Sequence, residues 1–263
     1  MIGEKLHTPI ANLPRHIAII PDGNRRWAEH RGLSLLEGYQ EGARRFFEIA
    51  EEVFNMGIPY YTFGAASKKN LTSRNQYEVD SIVSVLKNSL LQKIKYPHFT
   101  KNDVKFRIIG KWKDILKDFE LENIIKKIEE KTAEAKKYYI TILLGCDGKE
   151  EIIESIKCIM REGHKPEDIN DELIEKYLWT GCLPSVDLVI RTGGEPHNSA
   201  NFMTWHTGDS QLYFTKKLWP EFDKNEFKNA LHEYSRRVRE SGGAQSDLER
   251  SQSGRVNLNG SSG

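Results

Sequence analysis

Between His16 and Trp27 an apolar run, Ile17-Ala18-Ile19-Ile20, gives way to Pro21-Asp22-Gly23-Asn24-Arg25-Arg26-Trp27. One corner of the chain thus carries a carboxylate, a glycine and two guanidinium groups. Read as a strand that ends at Ile20 with a helix just beyond, the segment has the form of an anion site. Ligands of open α/β sheets sit outside the carboxyl ends of strands, and the next helix turns its free N–H groups and positive dipole end toward them. Asp22 offers hard oxygen to a divalent cation, Gly23 lets the backbone come close, and Arg25 or Arg26 can grip a planar anion through two donors. The chemistry on offer is the binding of a phosphate or diphosphate. A second corner of the same kind lies where Val186-Asp187-Leu188-Val189-Ile190 meets Arg191-Thr192-Gly193-Gly194-Glu195. Two strand-end anion sites imply two phosphorylated substrates. Taken singly, each is weak: Asp-Gly is most often a turn or helix N-cap, and Gly-Gly after a strand is most often a turn.

Such corners need a sheet with crossover helices, and the chain alternates accordingly. Short apolar runs at Tyr60–Ala66, Val104–Gly110 and Tyr139–Gly145 read as strands,. Helical spacing predicts helices over Leu36–Met56, ended by Gly57, and over Gln76–Lys95, Asp114–Lys137, Gly148–Glu162, Asp171–Trp179 and Asn225–Arg239,. The fold class is α/β, a single domain with a mainly parallel central sheet flanked by helices, spanning residues 1–243. From Ser241 the chain is rich in Ser, Gly, Asn and Gln, and residues 244–263 are expected to form a disordered tail,.

With 263 residues, 29% of them charged, and a net charge of +1, the chain is large enough for a substantial core and lacks the basic footprint of a nucleic-acid binder,. Cys146, Cys158 and Cys182 form neither a close pair nor a metal-ligand spacing, so reduced thiols are expected,. No apolar run approaches the ~20 residues that span a bilayer. A cytoplasmic enzyme is the expectation, with no transmembrane segment.

The two corners, in order, resemble the cis-prenyltransferase family of undecaprenyl diphosphate synthase-like enzymes, through H-I-A-I-I-P-D-G-N-R-R-W and D-L-V-I-R-T-G-G-E. Asn201-Phe202 with Trp205, Leu212-Tyr213-Phe214-Thr215 and Leu218-Trp219-Pro220-Glu221-Phe222 add to the match, which spans about residues 13 to 243. The joint order is far more specific than any one block. The resemblance implies the cis-prenyltransferase fold and a reaction in which an allylic diphosphate loses its leaving group and is captured by the double bond of a second prenyl diphosphate. It implies Mg2+ as cofactor, prenyl diphosphates as substrates and a homodimer, in proximity to membranes where its greasy substrates reside. Asp22 then matches the catalytic and metal-binding aspartate, and Asn24 the loop asparagine. Gly23, Arg25, Arg26 and Trp27 match the diphosphate-binding loop, and Arg191 the second diphosphate site. Ser67, Asn70 and Arg74 match parts of a loop the family writes S-x-x-N-W-x-R-P.

The departures matter as much. Leu35 and Tyr39 stand where the family has an arginine and a histidine; Leu71 replaces the loop tryptophan, with one extra residue before Arg74. Pro196-His197-Asn198-Ser199-Ala200-Asn201-Phe202 has an extra residue and no arginine, leaving His197 and Ser199 as substitutes. Gln211 replaces a glutamate that helps hold magnesium. Leu35, Tyr39 and Leu144-Gly145-Cys146 are similar to the irregular, lavandulyl-type branch, which joins short prenyl units by non-head-to-tail bonds. Three readings follow: an atypical short-chain enzyme, an ordinary cis-polyprenyl diphosphate synthase making a lipid carrier, and a non-catalytic partner subunit, against which the retained Asp22, Asn24 and Arg26 argue. Phe46, Phe47, Phe54, Val85, Leu86 and Leu90 are candidate walls of a product tunnel and equally good core residues. Tyr138-Tyr139 is a candidate floor for that tunnel, and Leu212-Tyr213-Phe214 with Leu218-Trp219 a candidate dimer surface.

Overall fold

The computed structural model describes residue 10 and residues 12–95 and 103–253. Strand β1, His16–Ile20, is buried along its whole length. Ile17 and Ile19 join the hydrophobic cluster on one face of the sheet, and Ala18 and Ile20 the cluster on the other. A strand buried on both faces is what a continuous apolar run encodes in a parallel sheet. With β2 (Tyr60–Ser67), β3 (Val104–Ile109), β4 (Tyr138–Cys146), β5 (Leu188–Arg191) and β6 (Gln211–Phe214), it forms one six-stranded sheet in the order β3-β4-β2-β1-β5-β6. Every pairing is parallel. The chain first builds leftward from β1 and then crosses to its other side at β5. The crevice between the carboxyl ends of β1 and β5 is therefore the topological switch point, where ligands of such sheets bind.

Helix α1, Asn24–His30, follows β1 directly, and α2, Leu35–Asn55, packs beside it. A capping box between Ser34 and Glu37 starts α2. Gly57, at φ 80°, ends it, with Ile58 N–H donating to the Val53 carbonyl, as the sequence predicts,. Helices α3 (Lys68–Ser73) and α4 (Gln76–Lys95) come next. Phe46, Ile49 and Val53 of α2 and Val79, Ile82 and Leu90 of α4 bury one face of the sheet. A register shift in β2 between Gly64 and Ala66 leaves Ala65 bulged out of the pairing with β4,.

Where one helix was expected over Asp114–Lys137 there are two, α5 (Trp112–Leu116) and α6 (Phe119–Lys131). Lys117 turns left-handed at φ 49° and the Asp118 carboxylate accepts the Leu121 N–H, starting a new helix without breaking the apolar rhythm. Helices α7 (Gly148–Arg161) and α8 (Asp171–Tyr177) precede β5. The last, α9, runs from Lys224 to Ser253, into the segment expected to be an unstructured tail. No proline interrupts it, and extending an existing helix costs far less than nucleating one. Residues 254–263 of that segment lie outside the described residues.

Candidate active site

The Asp22 corner is fixed by backbone before any side chain is considered. Asp22 N–H donates to Thr192 Oγ1 at 2.8 Å, and its carbonyl accepts both that hydroxyl and the Trp219 N–H. Gly23 sits at φ 116°, where a Cβ would lie 2.7 Å from Leu218 Cδ2 and 2.8 Å from Leu218 Cβ, so only glycine fits,. The carboxylate is then held between two guanidinium groups: Oδ1 lies 3.0 Å from Arg26 Nη2 and Oδ2 lies 3.3 Å from Arg191 Nη2. Arg26 also donates to the Gly193 carbonyl. A Cβ on Gly193, itself at φ 91°, would fall 2.7 Å from Arg26 and 2.9 Å from Asp22. The absence of that atom is what lets the two corners meet.

Arg191 is buried, at 4% exposure, and also pairs with Glu195 at 3.1 Å and donates to the His197 carbonyl at 3.1 Å. Its Nε–H is buried with no partner. Beyond it, Ala200 and Asn201 both adopt left-handed backbone, at φ 53° and 50°. Positive φ is uncommon outside glycine, and both residues line a polar basin,. His197 and Ser199 line the same basin, and His197 lies 3.8 Å from Glu195.

That basin, about 640 Å³, brings together Asp22, Gly23, Asn24, Arg25, Arg26, Tyr39, Ser67, Asn70, Arg74, Arg191, His197 and Ser199. Ser67 and Asn70 form a capping box for α3: Ser67 Oγ accepts the Asn70 N–H, and Asn70 Oδ1 accepts the Ser67 N–H. Arg74 stands at the C-cap of this helix, with its N–H on the Asn70 carbonyl. Next to the basin is an apolar cavity of about 80 Å³, walled by Phe46, Phe47, Val85, Leu86, Leu90 and Trp219 among others. Pro21, Asn24, Tyr39 and Ala65 line both spaces and form the neck between them. The β2 bulge is what delivers Ala65 there. Asn24 Oδ1 is buried there without a partner, against Gly42, where a Cβ would come within 2.3 Å of it.

At the neck, Tyr39 Oη donates to Glu78 Oε1 at 2.7 Å and accepts from Arg74 Nη1 at 2.7 Å, while the same Arg74 nitrogen lies 2.9 Å from Glu78. Burial pushes the Tyr39 hydroxyl well above the usual phenol range, with Glu78 adding to the rise and Arg74 opposing it. On the far side of the basin Glu151 is buried, its carboxyl raised by that burial although Thr180 donates to it twice. Cys146 also lines the basin, and burial pushes its thiol up to about 12, so it is no nucleophile,.

Several expected participants stand elsewhere. Trp27 is outside the basin lining, with the Arg31 guanidinium 4.6 Å over its ring. Phe54 packs on Tyr138, and Tyr139 stacks on Tyr60; none of them walls the cavity. Leu218 and Trp219, read as surface, are buried at 8% and 0% exposure, because Trp219 stacks on Phe222 and its Nε1–H donates to the Gly42 carbonyl. Leu212 and Phe214 remain exposed on the edge strand β6. Gln211 is level with Leu188, hence with Ile17 at the opposite end of β1 from Asp22. Five strand residues at ~3.3 Å each put it on the order of 15 Å away within the chain. Conversely, Glu78, Lys69 and Glu151 join the basin. Lys69 lies within the Ser67–Arg74 loop that the motifs mark, whereas only the tertiary fold brings Glu78 and Glu151 there.

The basin lining carries five cations (Arg25, Arg26, Lys69, Arg74, Arg191) and five carboxylates (Asp22, Glu78, Asp147, Glu151, Glu195). A diphosphate bound here meets no excess of positive charge from the protein. Among the described residues no cluster of three or more His, Cys, Asp or Glu side chains could by itself cage a metal. One accessible carboxylate in an open polar basin does suit magnesium, which keeps waters and binds through one or two carboxylates together with substrate phosphates.

A two-corner basin for anions opening onto a greasy cavity defines an enzyme that transfers an apolar group from a phosphorylated donor. The chain matches the family described as putative undecaprenyl diphosphate synthase over residues 20–242, and it belongs to that family, the cis-prenyltransferases, as an enzyme transferring prenyl groups. It is 36% identical to dehydrodolichyl diphosphate synthase 3 of Arabidopsis thaliana over 236 residues, 88% of this chain and 76% of that protein. It is likewise 35% identical to a tritrans,polycis-undecaprenyl-diphosphate synthase (geranylgeranyl-diphosphate specific) of Thermoplasma acidophilum, across 87% of this chain and 89% of that one. Among solved structures, lavandulyl diphosphate synthase from Lavandula x intermedia, in complex with dimethylallyl diphosphate, superposes with a TM-score of 0.79 at 30% identity, covering 85% of this chain and 95% of that one. Among the described residues no helix is long and apolar enough to cross a membrane.

Proposed function

We propose that this enzyme condenses a short allylic prenyl diphosphate with a second short prenyl diphosphate and releases a short-chain product. The observation that carries the reading is the volume of the apolar cavity, about 80 Å³. A cavity of ~150 Å³ holds benzene, so the space beyond the neck takes at most about one isoprene unit. That size favours a short product over a lipid-carrier chain. In this reading the donor's diphosphate lies against Arg25, Arg26 and Asn24, and its tail passes between Tyr39 and Ala65.

The allylic C–O bond breaks and both electrons leave with the diphosphate. The double bond of the second substrate then attacks the allylic carbon, and loss of a proton restores an alkene. The chain's own contribution is charge placed in advance where the leaving group develops it, from Arg26 and the loop Arg74, and an apolar wall that keeps water from the cation. Asp22 would hold magnesium jointly with the diphosphate, and the ion would supply Lewis-acid neutralisation of the departing charge. Arg191, Ser199 and His197 would receive the second diphosphate. This site has fewer cations than the family pattern, in keeping with an acceptor handled differently from the isopentenyl unit of chain elongation. Non-head-to-tail coupling is the form we favour, and the likeness to lavandulyl diphosphate synthase supports it.

A second reading, head-to-tail elongation, is favoured by the synthases among the curated relatives. We also propose that two copies pair through the exposed β6 edge with Leu212 and Phe214, which light scattering of the pure protein would test.

The deciding experiment is mass spectrometry with product-structure analysis after incubation with magnesium and dimethylallyl, geranyl or farnesyl diphosphate, each with and without isopentenyl diphosphate. A short product from allylic diphosphate alone is expected. A long ladder that requires isopentenyl diphosphate would replace this reading with the ordinary synthase.

A further inference from the structure

Arg74 occupies a position that a mobile arginine would not hold unaided. It caps a six-residue helix, its backbone is extended, and its side chain is about one-third exposed over the basin. Yet Nη1 has two partners, the Tyr39 hydroxyl and the Glu78 carboxylate, and the hydroxyl closes the ring by donating to the same carboxylate oxygen. Glu78 is 5% exposed, and its own N–H is tied to Asn75 Oδ1. A buried carboxylate stripped of its cation is strongly disfavoured, so Arg74 is held at Glu78. Its other edge, Nε–H with Nη2, makes no hydrogen bond or ion pair to protein among the described residues, and Arg74 lines the basin. That edge is a side-on fork of parallel N–H donors, the geometry that takes two oxygens of a phosphate at once.

We propose that Tyr39 is a positioning residue for prenyl transfer: with Glu78 it pins one end of the Arg74 guanidinium so that the free edge receives the donor's diphosphate at the neck. The assignment rests on the function proposed above. It gives the tyrosine a reason to stand at a position where the resemblance implies histidine. A hydroxyl both donates and accepts while neutral, so it links Arg74 to Glu78 without adding charge. Burial keeps it protonated throughout the working pH range, whereas a histidine facing Arg74, Glu78 and the nearby Arg25 would titrate there,. Ordering Arg74 before the ligand arrives removes part of the cost of immobilising a long side chain on binding.

The test is titration calorimetry of inorganic pyrophosphate, with magnesium, into the full-length wild type and Tyr39→Phe, Arg74→Ala and the double variant, alongside product assays. Tyr39→Phe keeps the ring at the neck and loses the hydroxyl; circular dichroism checks that each variant folds. Pyrophosphate affinity is expected to fall about tenfold in Tyr39→Phe, the size expected for losing a hydrogen bond to a charged group. Arg74→Ala should fall at least as far, and the double variant no further than Arg74→Ala alone. Tyr39→His should retain affinity while making it dependent on pH near ~6.5. Losses that multiply in the double variant, or unchanged affinity in Tyr39→Phe, would overturn the proposal while wild-type turnover left the functional reading standing. A wild type that neither binds pyrophosphate nor forms prenyl product would overturn both.

Discussion

Acidification should weaken this fold through one side chain at the root of β1. His16 is fully buried, with Nδ1 2.9 Å from the Pro184 carbonyl and Nε2 2.8 Å from Thr62 Oγ1. A carbonyl can only accept, so Nδ1 carries the proton and Nε2 accepts from the threonine: the neutral ring is fully used. Burial pushes its pKa down from 6.5 to about 4; the Pro184 hydrogen bond and Asp187 oppose the shift and His206 adds to it. The folded value lies below the unfolded one. The unfolded chain therefore takes up a proton that the folded chain refuses as pH falls from 6.5 toward about 4. Stability from this group is complete above that window, is lost through it, and is constant below it. The full span corresponds to about 3 kcal/mol, of which about 2 kcal/mol is gone by about pH 5. Urea unfolding of the wild type and His16→Asn, each at about pH 7.5 and about pH 5, isolates the term, because other titrations are common to both proteins. The variant should lose about 2 kcal/mol less stability between the two conditions. Equal losses would refute the argument that a buried neutral imidazole anchors this strand.

Asp22→Ala should lower turnover by at least ~10³-fold while the melting temperature moves only slightly, since the carboxylate is one-third exposed and packs no core,; unchanged turnover would remove Asp22 from leaving-group departure. Gly42→Ala forces a methyl group to within 2.3 Å of Asn24 Oδ1 and 3.2 Å of the Trp219 ring. Urea titration should show a loss of about 1–3 kcal/mol, and a neutral result would mean that Asn24 swings clear. Gln211→Glu should leave the magnesium dependence of turnover as it is, given the sheet register; a shift to lower magnesium would show that a second copy brings this residue to a basin. Phe47→Ala removes a wall of the apolar cavity and should lengthen the products seen by mass spectrometry. An unchanged product spectrum would place the chain-length stop elsewhere.

Much of the site was legible because it is local. Asp22 and Arg191 each end a strand that the apolar rhythm marks, and in parallel sheets strand ends are where ligands gather. That both corners share one carboxylate was not legible: the sequence reads as two separate anion sites, and 169 residues separate Asp22 from Arg191. The Tyr39–Arg74–Glu78 ring was illegible for a related reason. Glu78 occupies the first turn of α4, where an acidic residue needs no further explanation, and only the packing of α2 on α4 buries it,. The break at Lys117–Asp118 escaped because apolar periodicity continues through it. Trp219 misled in the opposite direction: an aromatic beside a proline looked like interface, whereas its indole N–H finds the Gly42 carbonyl inside the fold.

Trp219 joins two properties that substrate selection would adjust separately. Its backbone N–H fixes the Asp22 carbonyl, and its ring walls the apolar cavity. Head-group chemistry and tail capacity therefore meet at this residue: the buried indole, with its Nε1–H on the Gly42 carbonyl, seats the segment whose backbone N–H holds the Asp22 carbonyl, so a smaller side chain that widened the cavity would also unseat that segment. Val85 and Leu86, on α4, wall the same cavity without a hydrogen bond to the Asp22 corner. Divergence in chain length within this architecture has an open route through α4 and a closed one through the tryptophan.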